Sequence, residues 1–201
     1  MTRAEDQEPE KQRLQKVENP LIELVKTFVL SGVLALGIRS FVAEARYIPS
    51  GSMLPTLQIN DRLIIDKLSY EFRSPQRGDI VVFSPTDELK KQNFKDAFIK
   101  RVIGLPGETV EVKDGQVYIN GQAIQEKYIE DKPNYRFGPV NVPDNQYLVL
   151  GDNRNNSYDS HYWGFVPRKN LIGRAVVRFW PLNRVGEIDP IPSYPASLKK
   201  Q

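Results

Sequence analysis

Two dipeptides, Asp114-Gly115 and Asn120-Gly121, constrain most tightly what this chain can fold into. A two-residue type I′ turn needs positive φ at both central positions, which Asn, Asp and Gly tolerate, so each pair set between alternating apolar residues marks a tight hairpin. Together they predict a β-meander over 109–124. The same grammar runs through the rest of the chain. Residues 62–68 (RLIIDKL), 80–83 (IVVF), 98–103 (FIKRVI), 109–113 (TVEVK), 116–120 (QVYIN), 147–150 (YLVL) and 175–180 (AVVRFW) are short and rich in β-branched and aromatic residues. Gly, Pro, Asn or Asp bound them. The expectation is a mainly β, antiparallel-sheet domain over 46–187, with neither internal repeat nor βαβ alternation. Residues 86–97, polar and Lys-rich, and 126–143, with scattered prolines and aromatics, read as excursions from the sheet.

Ahead of this domain, residues 1–20 mix Arg3, Lys11, Arg13 and Lys16 with acids and read as a disordered cytoplasmic tail. From residue 21 the chain turns apolar. Its charge-free run, 27–38 between Lys26 and Arg39, covers only roughly 20 Å of a ~30 Å hydrocarbon layer. Long basic side chains snorkel, however, and the wider span 21–45 restores the length of a transmembrane anchor embedded in a lipid bilayer. A cleaved secretory signal is the competing reading, with Ala43-Glu44-Ala45 as its cleavage site. The long tail and the interrupting Arg39 favour an uncleaved anchor. The basic tail residues place the N-terminus in the cytoplasm and everything beyond about residue 45 across the membrane. Residues 188–201 are a Pro-rich C-terminal tail.

Composition removes several chemistries. The 28 basic and 25 acidic residues, net +3, are scattered without a basic run, so nucleic acid is not an expected partner. The absence of cysteine excludes disulfides, thiolate metal sites and a cysteine nucleophile, and a single histidine, His161, argues against a zinc site and leaves one possible base for a Ser-His-Asp triad. Neither a metal nor a cofactor is expected.

Three segments carry candidate chemistry. Residues 48–57 (IPSGSMLPTL) set Ser50 and Ser52 one residue apart in an extended, proline-bracketed stretch, either a linker or a nucleophile loop. In 98–103, strand alternation puts Phe98, Lys100 and Val102 on one face and sends Arg101 to the other. A lysine desolvated in that row would lose its proton more readily and serve as general base to a serine; the alternative is an edge lysine whose head stays in water. Residues 151–161 (GDNRNNSYDSH) are dense in short polar side chains. They suit a hydrogen-bonded Asx/Ser turn or a sequon at 155–157, while Arg154 sits where a calcium ligand would be needed.

In this order the segments resemble type I signal peptidases, the Ser-Lys family that removes signal peptides from exported proteins. The matches are Arg39-Ser40-Phe41, 48–57, 77–83 (RGDIVVF), 100–107 (KRVIGLPG) and 151–160. The resemblance implies Ser52 as nucleophile, Lys100 as general base, and the Ser50 hydroxyl with the Ser52 amide as oxyanion hole. Ser157 would orient the lysine, and Asp152, Arg154 and Asp159 would hold the loop. Ile48, Leu57, Phe98 and Ile99 would line shallow pockets for the alanine-sized residues of A-x-A substrates, the partners being signal peptides of exported preproteins. Asn155 and His161 replace the Asp and Arg of many members, and 159–164 (DSHYWG) looks like the cyanobacterial and plastid branch. Spacing alone does not choose Ser52 over Ser50. A self-cleaving Ser-Lys protease and a non-catalytic, membrane-tethered peptide-binding module are the rival readings.

Overall fold

The computed structural model describes residues 19–188. The expected tails, 1–20 and 188–201, lie outside the described residues except for Asn19, Pro20 and Ile188. The chain divides into two units, Met1–Gly37 and Ile38–Gln201.

The described part of the first unit is helix α1, Pro20–Gly37. Asn19 caps it by accepting the Leu21 N–H at 3.1 Å, and Pro20 takes the first helical position, where a missing N–H costs nothing. Its 18 residues rise about 27 Å and none is buried, so the helix is long and apolar enough to cross a membrane. Its single acid and single base, Glu23 and Lys26, pair at 2.5 Å.

The anchor expected to run to residue 45 is α-helical only to Gly37. A π-helical turn, Ile38–Val42, follows, and Ala43 to Ala45 belong to strand β1 (Ala43–Tyr47) of the second unit. These backbone groups are taken up by β2 (Arg62–Asp66), from Ala43 opposite Asp66 to Tyr47 opposite Arg62.

The second unit is mainly antiparallel β, as the turn chemistry predicts. Its further elements are α2 (Ser69–Phe72), β3 (Ile80–Phe83), α3 (Asp87–Lys91), β4 (Phe98–Gly104), β5 (Thr109–Lys113), β6 (Gln116–Ile119) and β7 (Gln122–Ala123). Then come β8 (Phe137–Asn141), β9 (Gln146–Leu150), α4 (Ser160–Trp163), β10 (Val166–Pro167), β11 (Leu171–Trp180) and β12 (Gly186–Glu187). One sheet runs β1-β2-β11-β3-β4-β9-β10, with β12 beside β11; a second runs β7-β6-β5-β8. Asp114 and Gly115 have φ of 52° and 73°, Asn120 and Gly121 of 51° and 79°, and the hairpins close at Lys113–Gln116 and Ile119–Gln122.

The two faces of the β3–β4 pair pack differently, and that difference builds the site. On one face Val81, Phe83 and Val102 join Tyr70, Leu89, Val149 and Trp163, with Phe98 against them. On the other, Ile80 and Val82 pack with Leu63, Ile65, Ile48, Met53 and Leu57, so the loop between β1 and β2 is held down by three of its own apolar side chains. Each of these contributes about 1.5–3 kcal/mol by leaving water. The smaller sheet closes a third core, in which Val110, Val112, Val117 and Ile119 meet Ile103, Leu148 and Leu150.

Candidate active site

The β1–β2 loop is clamped at its base. Ile48 N–H donates to the Asp61 carbonyl at 2.9 Å, Asn60 N–H to the Ile48 carbonyl at 2.8 Å, and the Asp61 carboxylate takes the Gln58 amide and the Arg184 guanidinium. Within the loop a single helical turn from Met53 to Leu57 puts the fully buried Met53 directly after Ser52. Ser52 is thereby half-buried and fixed, whereas Ser50 is exposed, its Oγ 3.4 Å from that of Ser52.

Lys100 comes from the interior of β4, opposite Val81 on β3, and only 4 % of it is exposed. The reading of an edge lysine with its head in water is therefore set aside. Its Nζ lies 2.9 Å from Ser52 Oγ and 2.9 Å from the Ile99 carbonyl, and 5.7 Å from the centre of the Phe98 ring. As an ammonium it donates both hydrogen bonds; as a neutral amine it accepts the serine proton through its lone pair. Burial pushes the Lys100 amine down to about 8 from its ordinary 10.5, against the opposing charges of Asp159 and Asp152. Of the two serines, only Ser52 is hydrogen-bonded to this amine.

The loop after β9 completes the site. Arg101 pairs with Leu150 across β4 and β9, so Gly151 leaves the sheet beside Lys100. A Cβ on Gly151 would sit 2.2 Å from Ser157 Oγ and 2.4 Å from the Ser52 carbonyl oxygen, which explains why glycine is required here. Asn153 ties the serine loop to this one, its N–H on the Ser52 carbonyl and its side-chain amide on the Gly51 carbonyl, both at 3.1 Å. Asp152 receives Arg101 and Thr56; Arg154 pairs with Glu126 at 2.5 and 2.6 Å; Asp159 caps α4 and accepts the Gly151 N–H at 2.9 Å. All three residues named as loop supports are buried and paired.

Two expectations change. Ser157 Oγ is buried but has no hydrogen-bond partner among the described residues, so the bond expected between it and Lys100 is not made; the Ile99 carbonyl holds the amine instead. Ile48 and Leu57, expected to line the substrate pocket, are 2 % and 0 % exposed, because packing against Leu63 and Ile65 consumes their surfaces. Phe98 and Ile99 are half-buried and lie on opposite faces of β4, Phe98 against the Phe83–Trp163 core and Ile99 against the Met53–Leu57 core. Arg101, Glu126, Asn153 and Thr56 were not singled out from the sequence. Alternation alone could have marked Arg101, a charge at a buried strand position; nothing local announces Glu126, whose partner is 28 residues away.

A serine hydroxyl against a buried lysine whose amine is brought down toward neutrality is suited to acyl transfer without histidine. Residues 21–180 match the family model described as signal peptidase, peptidase S26. A signal peptidase I from Leptolyngbya laminosa is 67 % identical over 181 residues, covering 89 % of each chain. A protein named probable thylakoidal processing peptidase 2 of Arabidopsis thaliana is 42 % identical over 86 % of this chain and 48 % of its own. Among solved structures, a signal peptidase I from Enterococcus faecalis V583 is 35 % identical with a TM-score of 0.43, covering 51 % of this chain and 97 % of that one. This chain belongs to the signal peptidase family, peptidase S26.

Proposed function

We propose that the protein is a membrane-tethered signal peptidase I that removes N-terminal signal peptides from exported preproteins after small residues, with Ser52 and Lys100 as its reacting pair. The observation that carries this reading is the 2.9 Å contact between Ser52 Oγ and an amine that is 4 % exposed. The neutral Lys100 Nζ takes the Ser52 proton as Oγ attacks the scissile carbonyl; the resulting ammonium returns that proton to the departing amine. Water then enters by the same route, its proton passing to Lys100 and on to the Ser52 oxygen as the acyl group leaves. The Ser52 amide and the Ser50 hydroxyl stabilise the oxyanion. Of the four residues expected to line the substrate pocket only Phe98 and Ile99 keep accessible surface, and the preference for A-x-A sequences rests on membership of the signal peptidase family.

Helix α1 is the anchor. Basic residues in the preceding tail favour a cytoplasmic N-terminus, with the catalytic unit on the periplasmic or lumenal side of a plasma or thylakoid membrane. Incubation of the full chain in detergent or vesicles with a purified precursor, followed by mass determination, tests the function. Release of a mature chain beginning directly after an A-x-A sequence is expected. Cleavage of the enzyme alone, or retention of intact precursor, would overturn it in favour of self-processing or simple peptide binding.

A further inference from the structure

His161 takes no part in the chemistry described above, yet it is built into the site. Its ring is stacked on Tyr135 at 4.3 Å and 13°, meets Tyr162 at 3.9 Å, and presents Nδ1 to Asp159 Oδ1 at 2.6 Å. Asp159 is fully buried. Its other oxygen, Oδ2, accepts the N–H of Gly151, the residue wedged between Ser157 Oγ and the Ser52 carbonyl. We infer that His161 is a positioning residue for the Ser52–Lys100 pair, acting through Asp159, whose two oxygens link the imidazole on one side to the Gly151 backbone on the other.

Two consequences follow from that placement. The His161 Nδ1–H fixes the Asp159 carboxylate in the plane that Gly151 requires, so the loop presses against Ser52 in one position. The same donor spreads the Asp159 charge, which otherwise favours the ammonium form of Lys100. The titratable and charged groups around this link are Asp159 itself, Tyr162 on α4, Tyr135 from the segment before β8 with the Arg154–Glu126 pair acting on it, and, beyond Asp159, Lys100 with Asp152. Among them Asp159 is the group that both the imidazole and Lys100 sense.

This inference rests on the proposed roles of Ser52 and Lys100, and two substitutions separate donor from ring. His161→Phe keeps the stack on Tyr135 and deletes the donor; His161→Asn keeps an N–H near the Nδ1 position and deletes the stack. The measurement is kcat/KM for an A-x-A peptide against pH, with thermal unfolding in parallel. His161→Phe should move the acidic limb to higher pH, lowering kcat/KM about 3- to 10-fold at pH values below the limb. His161→Asn should leave the limb near its wild-type position, and Asp159→Asn should move it to lower pH. Unmoved limbs in the Phe and Asp159→Asn variants, or activity that merely tracks loss of fold in all three, would overturn the inference. A Ser52→Ala control that retained turnover would sink the underlying assignment instead, so the two failures are distinguishable.

Discussion

Arg101 and Asp152 hold each other in a two-point ion pair, Nε to Oδ1 at 2.8 Å and Nη2 to Oδ2 at 2.6 Å, with both side chains essentially out of water. The pair joins the residue after Lys100 to the residue after Gly151, and so locks the base-bearing strand to the loop that abuts Ser52. Arg101 also donates to the Gly78 carbonyl at 3.0 Å and lies 4.0 Å from the Tyr128 ring. Removing one member strands a buried charge. Asp152→Ala is expected to cost about 3–5 kcal/mol in urea unfolding and to lower kcat more than it raises KM. A loss under about 1 kcal/mol would mean that the pair does not organise the site.

Gly151→Ala tests the close approach on the other side of the same loop. The added methyl meets the Ser52 carbonyl, a backbone atom that cannot swing away, so about 1–3 kcal/mol of stability should be lost, with most of the activity. Wild-type kinetics in that variant would show that the loop is free to retreat.

The serines and the lysine should respond differently to substitution. Ser52→Ala should abolish precursor cleavage in a folded protein, whereas Ser50→Ala should leave activity reduced about 10²–10³-fold, the usual effect of losing one oxyanion donor. Lys100→Arg should also be inactive, because a guanidinium keeps its proton at any working pH. Reversed effects at the two serines would make Ser50 the nucleophile.

Stability carries a separate signature of the buried amine. The folded-state value of Lys100 lies near 8, below its ordinary 10.5, so below about pH 8 both states hold the proton and the native state bears the full cost of burying it. Between about 8 and 10.5 only the unfolded chain is protonated, and stability from this group rises with pH. Lys100→Met should therefore gain stability over wild type most clearly at neutral pH, and the gain should shrink through that window. A difference independent of pH from 7 to 11 would show that the amine is not held neutral by burial.

Much of this architecture can be read from local chemistry. Ile80–Phe83 and Thr109–Lys113 coincide with their apolar runs because turn residues bound both sides. Strand β8 was hidden by Gly138-Pro139, which is tolerable because β8 is the edge of its sheet. Strand β11 begins four residues earlier than its apolar run suggests, at Leu171 rather than Ala175; Gly173, a strand breaker by propensity, is there because a Cβ would sit 2.5 Å from the Asp66 carbonyl oxygen on β2. The alternation that set Lys100 with Phe98 and Val102 was legible, but the identity of its serine was not, since Ser50 and Ser52 differ only in which one the loop turns toward Nζ. The buried pairs of Arg101 with Asp152 and Arg154 with Glu126 span 51 and 28 residues, and periodicity along one strand says nothing of them.

The central claim is that an unprotonated Lys100 removes the Ser52 proton, and the pH dependence of kcat/KM tests it most directly. With an A-x-A peptide and the wild-type full chain, the acidic limb should report an essential group that loses its proton near pH 8, the value to which burial brings Lys100. A limb in the ordinary carboxylate range, or activity that continues to rise up to the unshifted lysine value of 10.5, would contradict the account.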